Sequence, residues 1–307
     1  MRIGITGATG FLGRYIVRHL SSLGHECRCW FRSFAAQDKP RSDRGGFEDL
    51  PRPIEWVEGD LVDPASMVEL TRRVDALVHA ALYRPGMGFM GGEGDLPTFV
   101  ERNVLGTIRL IEAARTAGVR RFVFISTCAV HDKILDDRNL DEAHPLWPAS
   151  HYGAHKAAVE KFIHSYGLGH GYDICSLRPT GIYGIARPIS QSKWYNLVHA
   201  VARGESVSSD RGGKEVHAAD VAKAVGILLI ADGVAGQAYN CYDLYVADQE
   251  VAAVAKQITG STSEIKMLNK GPKHRIDTTK LRALGMTFGG RALLEQTVRE
   301  MLNNRNA

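Results

Sequence analysis

The sequence predicts a doubly wound α/β fold with a smaller C-terminal substrate domain, on three observations. A glycine-rich turn, Thr6-Gly7-Ala8-Thr9-Gly10-Phe11-Leu12-Gly13, follows directly on the apolar run Ile3-Gly4-Ile5. Strand-like and helix-like patterns alternate through the first two-thirds of the chain, as in a parallel sheet with helical crossovers. The 307 residues, 44% of them hydrophobic, can bury the core of one large domain with an appendage. Strand, glycine turn and helix start together mark a sheet of the Rossmann type.

The first strand, 2–5, leads into a turn shaped for phosphate. Gly7 takes dihedrals that a residue with a Cβ resists. Gly10 lets the backbone approach a pyrophosphate, and Gly13 lets the helix at 10–23 pack close to the strand. Thr9, Phe11 and Leu12 complete the turn, and the free N–H groups of the helix face the phosphates. Further buried strands are expected at 26–31, 76–80, 122–125 and 174–177, with helices at 64–73, 99–117 and 152–166. The segments 34–53 and 83–97 read as loops, the second glycine-rich and free to move near a site. Beyond Pro179 the alternation becomes irregular. A dinucleotide-binding domain is therefore expected over 1–178, with 212–245 returning to it, and a substrate domain over 179–211 and 246–307.

Composition narrows the partners. A net charge of +4, scattered along the chain, argues against nucleic acid. No apolar stretch is long enough to cross a bilayer, and the N-terminus enters a strand without the regions of a signal peptide. The five cysteines, Cys27, Cys29, Cys128, Cys175 and Cys241, read as reduced thiols of a cytoplasmic protein. The twelve histidines form no recognisable ligand set, so no metal is expected. His155, three residues after Tyr152, lies near the site or is solvated, the second reading being preferred; His131 either contacts substrate or fills its loop.

The chemistry sits in two short segments. Tyr152-Gly153-Ala154-His155-Lys156 opens a helix and puts Tyr152 and Lys156 on one face, a turn apart. An unperturbed tyrosine titrates near about 10, and a neighbouring ammonium pulls that value down. Lys156 can also hold a ribose hydroxyl. Ser126-Thr127 leaves the strand at 122–125 at its carboxyl end, where sites of open parallel sheets form. A hydroxyl there can donate to a substrate oxygen, or simply cap the turn.

With these residues in order, the chain resembles the extended short-chain dehydrogenases/reductases of the NAD(P)-dependent epimerase/dehydratase group. The resemblance rests on the Thr6–Gly13 turn, Gly59-Asp60-Leu61, Val78-His79-Ala80-Ala81, Asn103-Val104-Leu105-Gly106-Thr107 and Tyr152–Lys156. It extends through Leu177-Arg178-Pro179-Thr180-Gly181-Ile182-Tyr183-Gly184 and Val216-His217-Ala218-Ala219-Asp220. It implies a cofactor lined by Asp60 and Leu61 at the adenine, by Ala80, Ala81 and Asn103, and by Pro179 and Ile182 past the nicotinamide. It also implies that Thr127 is the catalytic hydroxyl, with Ser126 its neighbour. A homodimer built on the 99–117 and 152–166 helices follows from the same resemblance. Two departures matter: His131-Asp132 stands for Tyr-Gly, and Cys128-Ala129 stands where dehydratases carry an Asp-Glu pair, which disfavours water elimination.

The second strand ends Trp30-Phe31-Arg32-Ser33, with no acid until Asp38. An acid at that end would hold the ribose of NAD; Arg32, with Ser33, suits a 2′-phosphate instead. NADP(H) is expected, with NAD second. The expected function is hydride transfer at a secondary alcohol or ketone of a sugar-like or other small carbonyl substrate. Tyr152 serves as acid/base beside Lys156 and Thr127. The alternatives are an epimerase with retained cofactor and a non-catalytic dinucleotide sensor. Arg187, Lys193 and Arg211 would suit an anionic substrate, and scattered surface charge explains them equally well.

Overall fold

The computed structural model describes residues 1–32, 44–86, 91–266 and 271–303. Ser33, Asp38 and parts of both expected loops, 34–43 and 87–90, lie outside the described residues. Among the described residues there are twelve strands: β1 (Arg2–Thr6), β2 (Glu26–Phe31), β3 (Glu55–Glu58), β4 (Ala76–His79), β5 (Arg121–Ile125), β6 (Ile174–Pro179), β7 (Gly181–Tyr183), β8 (Val207–Ser208), β9 (Gly212–His217), β10 (Gln237–Cys241), β11 (Leu244–Ala247) and β12 (Ile265–Lys266). The α-helices are α1 (Phe11–Ser22), α2 (Pro64–Thr71), α3 (Leu96–Val100), α4 (Gly106–Thr116), α5 (His151–His164), α6 (Tyr195–Ala202), α7 (Ala218–Leu228), α8 (Asp248–Thr259), α9 (Thr279–Ala283) and α10 (Gly290–Asn303).

Seven strands form one parallel sheet, in the order β10-β6-β5-β4-β1-β2-β3. Strand order reverses between β1 and β4, which opens a crevice at their carboxyl ends. The central strands are buried on both faces, as β5 (Arg-Phe-Val-Phe-Ile) shows along its whole length, because helices cover both sides. Leu70, Leu77, Leu110, Ile111, Phe122, Val159 and Ile163 pack one of those sides. Local signals set the helix starts. Asp63 accepts from the backbone of Ala65 and Ser66 ahead of Pro64 in α2, and Ser150 accepts from Gly153 in α5. The helix expected at 99–117 is α3, a π-helical turn over Glu101–Leu105, and α4.

The chain divides into two compact units. The first comprises Met1–Pro179, Val221–Cys241 and Asp277–Met286, the second Thr180–Asp220, Tyr242–Ile276 and Thr287–Ala307. The segment 212–245 was expected to return whole to the first unit. Its opening strand β9 instead pairs with β7 and β11 in a three-stranded sheet of the second unit. In that unit Tyr183, Val198, Val246, Val251, Leu294 and Val298 form the core. Glu215 is buried there, and both Gly181 and Gly213 lie against its carboxylate: a Cβ on either would come within 2.6 Å of it. Its Oε1 pairs with Lys193.

Candidate active site

The glycine turn has the shape its sequence implies. Gly7 holds φ +74°, and a Cβ there would meet the backbone of Ala80 and Ala81 at 2.7 Å. A Cβ on Gly13 would stand 2.0 Å from the Gly7 carbonyl, so α1 reaches the end of β1 only with glycine at that position. Gly10 is open apart from the Gly7 carbonyl, 3.2 Å from a built Cβ. No side chain caps α1, which leaves the first-turn N–H groups aimed at the crevice. A dinucleotide's pyrophosphate fits this cradle.

Behind the turn runs a hydrogen-bonded chain. The Ala81 N–H reaches the Thr6 hydroxyl at 3.1 Å, which lies 2.6 Å from His79 Nδ1; His79 Nε2 lies 2.9 Å from the Thr107 hydroxyl, which donates to the Asn103 carbonyl at 2.6 Å. Asn103 itself is committed: its side chain accepts from the Tyr83 N–H and donates to the carbonyls of Tyr83 and Phe99. Asp60 pairs with Arg102 at 3.4 Å, and the Arg102 guanidinium lies over the Tyr83 ring. Leu61 is buried, and Gly106 lies against its carbonyl. At the end of β2, Phe31 carries the Arg44 guanidinium over its ring at 4.6 Å, and exposed Arg32 follows. The acid nearest in register is Glu58, opposite Phe31 on β3.

At the end of β5 Thr127 stands beside Tyr152, near enough to draw the phenol's pKa down. Gly153 makes the approach possible, since a Cβ there would lie 2.3 Å from the Ala129 carbonyl. Lys156 sits one turn further along α5, buried, with Nζ donating to the Ile125 carbonyl at 2.7 Å and lying over the Phe124 ring. Burial lowers its pKa to about 7, against the raising charge of Glu160. Pro179 closes β6 in the same unit, whereas Ile182 belongs to β7 in the second.

Several expectations need correction. Burial raises the Tyr152 phenol above its ordinary value; the Thr127 hydrogen bond and the charge of Arg84 pull against that rise. The expected acidifying ammonium, Lys156, is turned to the Ile125 carbonyl in this structure. Ser126 does not share the site with Thr127. Its hydroxyl donates to buried Glu160, because successive side chains on extended backbone point to opposite faces. His155 is buried rather than solvated, packed on the rings of Phe99 and Tyr152. His131 fills its loop, between Arg178 at 3.2 Å and the Pro145 carbonyl at 3.3 Å. Lys193, named for an anion, is paired with Glu215. Arg84 and Glu93 were missed. Glu93 is buried and accepts from the Tyr152 N–H at 3.2 Å, and no sequence pattern links position 93 to 152. Among the described residues no group of His, Cys, Asp or Glu is placed to hold a metal, and no helix is long and apolar enough to cross a membrane.

The buried histidines predict a pH dependence. Burial lowers His79 to about 3, His131 to about 4 and His155 to about 2. The unfolded chain takes up these protons first, so stability is lost as pH falls from about 6.5 toward those folded values. At pH 5 each costs on the order of 2 kcal/mol. Urea unfolding at pH 7 and pH 5 reads this directly; an unchanged midpoint would refute it.

Comparison with known proteins agrees with this geometry. The model of the NAD dependent epimerase/dehydratase family matches residues 3–241. A low-salt glycan biosynthesis protein of Haloferax volcanii is 27% identical over 295 residues, covering 93% of each chain. A UDP-glucose 4-epimerase of Streptomyces lividans is 28% identical over 72% of this chain and 69% of its own. Other curated relatives are matched over about half their own length. Among solved structures, a dTDP-glucose 4,6-dehydratase from Streptomyces venezuelae, with NAD and TYD bound, superposes with TM-score 0.76 at 26% identity, over 99% of this chain and 98% of its own. The glycine cradle, the parallel sheet and the family match over most of the length make the chain a member of the NAD(P)-dependent epimerase/dehydratase family of extended short-chain dehydrogenases/reductases, and an enzyme.

Proposed function

We propose that the protein is an NADP(H)-dependent oxidoreductase acting at a secondary alcohol or ketone of a sugar-like substrate. The observation that carries this reading is the placing of Tyr152 beside Thr127 at the carboxyl end of β5, with Lys156 one turn away. When bound, the dinucleotide supplies the hydride or accepts it. Tyr152 exchanges a proton with the substrate oxygen, and Thr127 holds that oxygen by a hydrogen bond. Lys156 binds the ribose and, turned from the Ile125 carbonyl toward the crevice, holds the phenolate. Cys128, whose thiol donates to the Arg178 carbonyl at 3.0 Å, and Ala129 offer no carboxylate for water elimination.

The second reading is an epimerase that keeps its cofactor through oxidation and re-reduction, supported by the relationship to a UDP-glucose 4-epimerase. One experiment separates the two. Purified protein is passed through gel filtration, assayed for dinucleotide, and then given NADPH with a panel of keto sugars. Net NADPH oxidation supports the reductase, and retained dinucleotide with isomerised sugar supports the epimerase. Silence on both counts favours a sensor.

Arg32 carries the preference for NADP. Replacing Arg32 with Ala should weaken NADPH binding by about tenfold to a hundredfold while NADH binding changes little. Fluorescence titration with both reads the difference; an equal loss for the two would remove the assignment. We also infer a homodimer through the α3–α4 and α5 helices, on which Leu96, Val100, Leu105 and Phe162 are exposed. A monomer in sedimentation would end that inference alone.

A further inference from the structure

Three successive residues at the end of β5 each face a residue of α5, at positions one helical turn apart. Tyr152 lies beside Thr127, Lys156 donates to the Ile125 carbonyl at 2.7 Å, and Glu160 accepts from the Ser126 hydroxyl. The first two contacts belong to the site already described. The third is sealed inside: Glu160 and Arg178 have side chains 0% and 1% exposed. Arg178 Nε donates to both Glu160 oxygens at 3.0 Å and Nη2 to one at 2.6 Å. Its remaining nitrogen, Nη1, meets His131 Nε2 at 3.2 Å and the Glu142 carbonyl at 3.3 Å. A buried charge pair so fully hydrogen-bonded specifies one arrangement of the elements that carry it.

We propose that Glu160 is the positioning residue of the Tyr152–Lys156 pair. Clamped between Ser126 and Arg178, it fixes the register of α5 on β5 and holds a negative charge one turn from the Lys156 amine. Both consequences come from the same side chain. A slide of α5 along β5 would break all three contacts together. Among the described residues, loss of the charge would leave the buried amine beside uncharged groups. These are the Phe124 ring and Ile125 carbonyl of β5, His79 at the end of β4, and His155 on its own helix. The charge of Glu160 raises the Lys156 pKa against burial, in keeping with this role. The inference rests on Tyr152 and Lys156 being the reactive pair, but its test does not depend on turnover.

The measurement is the titration of the Lys156 amine by NMR of the full chain labelled with [15N]lysine, with thermal unfolding alongside. Glu160→Gln keeps the shape and a hydrogen-bonding group, and should lower the Lys156 midpoint by about one pH unit or more. Should that variant fail to fold, the double substitution Glu160→Leu with Arg178→Met removes the pair in favour of apolar packing, which buried pairs commonly tolerate. It should show the same fall. A side chain with a merely structural part would lower the melting temperature and leave the midpoint in place, which overturns the proposal. Loss of turnover in a Tyr152 variant, by contrast, tests the reactive pair alone.

Discussion

Replacing Tyr152 with Phe is expected to lower kcat by about a thousandfold while leaving dinucleotide binding close to that of the parent. The substitution removes one oxygen from a ring that stays packed on His155 at 5.4 Å, so the helix start keeps its place. What disappears is the proton carrier beside Thr127. Steady-state kinetics on the substrate found in the panel, with NADPH titration beside it, separates chemistry from binding. A variant that keeps kcat within a few-fold would move the acid/base role elsewhere. Because burial raises the phenol in this structure, the parent's basic limb should depend on Lys156. A Lys156→Met variant would then need higher pH for the oxidative direction.

Gly153→Ala should be nearly as damaging, although it touches neither proton nor cofactor. The added Cβ would stand 2.3 Å from the Ala129 carbonyl and 2.8 Å from Pro148 Cβ. Backbone does not yield at such distances, so α5 must lift from the turn after Thr127. A displacement of about 1 Å between reacting groups costs about a hundredfold in rate, and kcat/KM is expected to fall by that order with the fold retained. Circular dichroism and kcat/KM, measured together, check it. Unchanged kcat/KM would mean that the close approach has no part in catalysis.

Much of the architecture was legible beforehand, for definite reasons. Strands β1, β2, β4, β5 and β6 are short, mainly apolar runs bounded by turn residues, as burial on both faces favours. Strand β3, Glu-Trp-Val-Glu, does not stand out as an apolar run: it lies at the sheet edge with one buried residue, and two of its four residues are acidic. Helix α6 begins at Tyr195 because Trp194 takes φ +69° and its indole donates to Asp248 at 2.9 Å. The expected boundary of the returning segment failed at β9 for a similar reason. Apolar character shows that a strand is buried but not which sheet it joins.

By itself the sequence determined the order of strand and helix, the glycine cradle, and the placing of a Tyr–Lys pair and a hydroxyl at the ends of successive βα units. These depend on local geometry: glycine dihedrals, helical periodicity, and the run of apolar residues through a covered strand. Only the tertiary structure decided which of Ser126 and Thr127 faces Tyr152, that Lys156 is buried beside a carbonyl, and that Glu160, Arg178 and His131 lie sealed behind the site. Those outcomes depend on charge, solvent exclusion and the alternation of side chains between two faces. A chain acquires such properties only when distant segments close around one another.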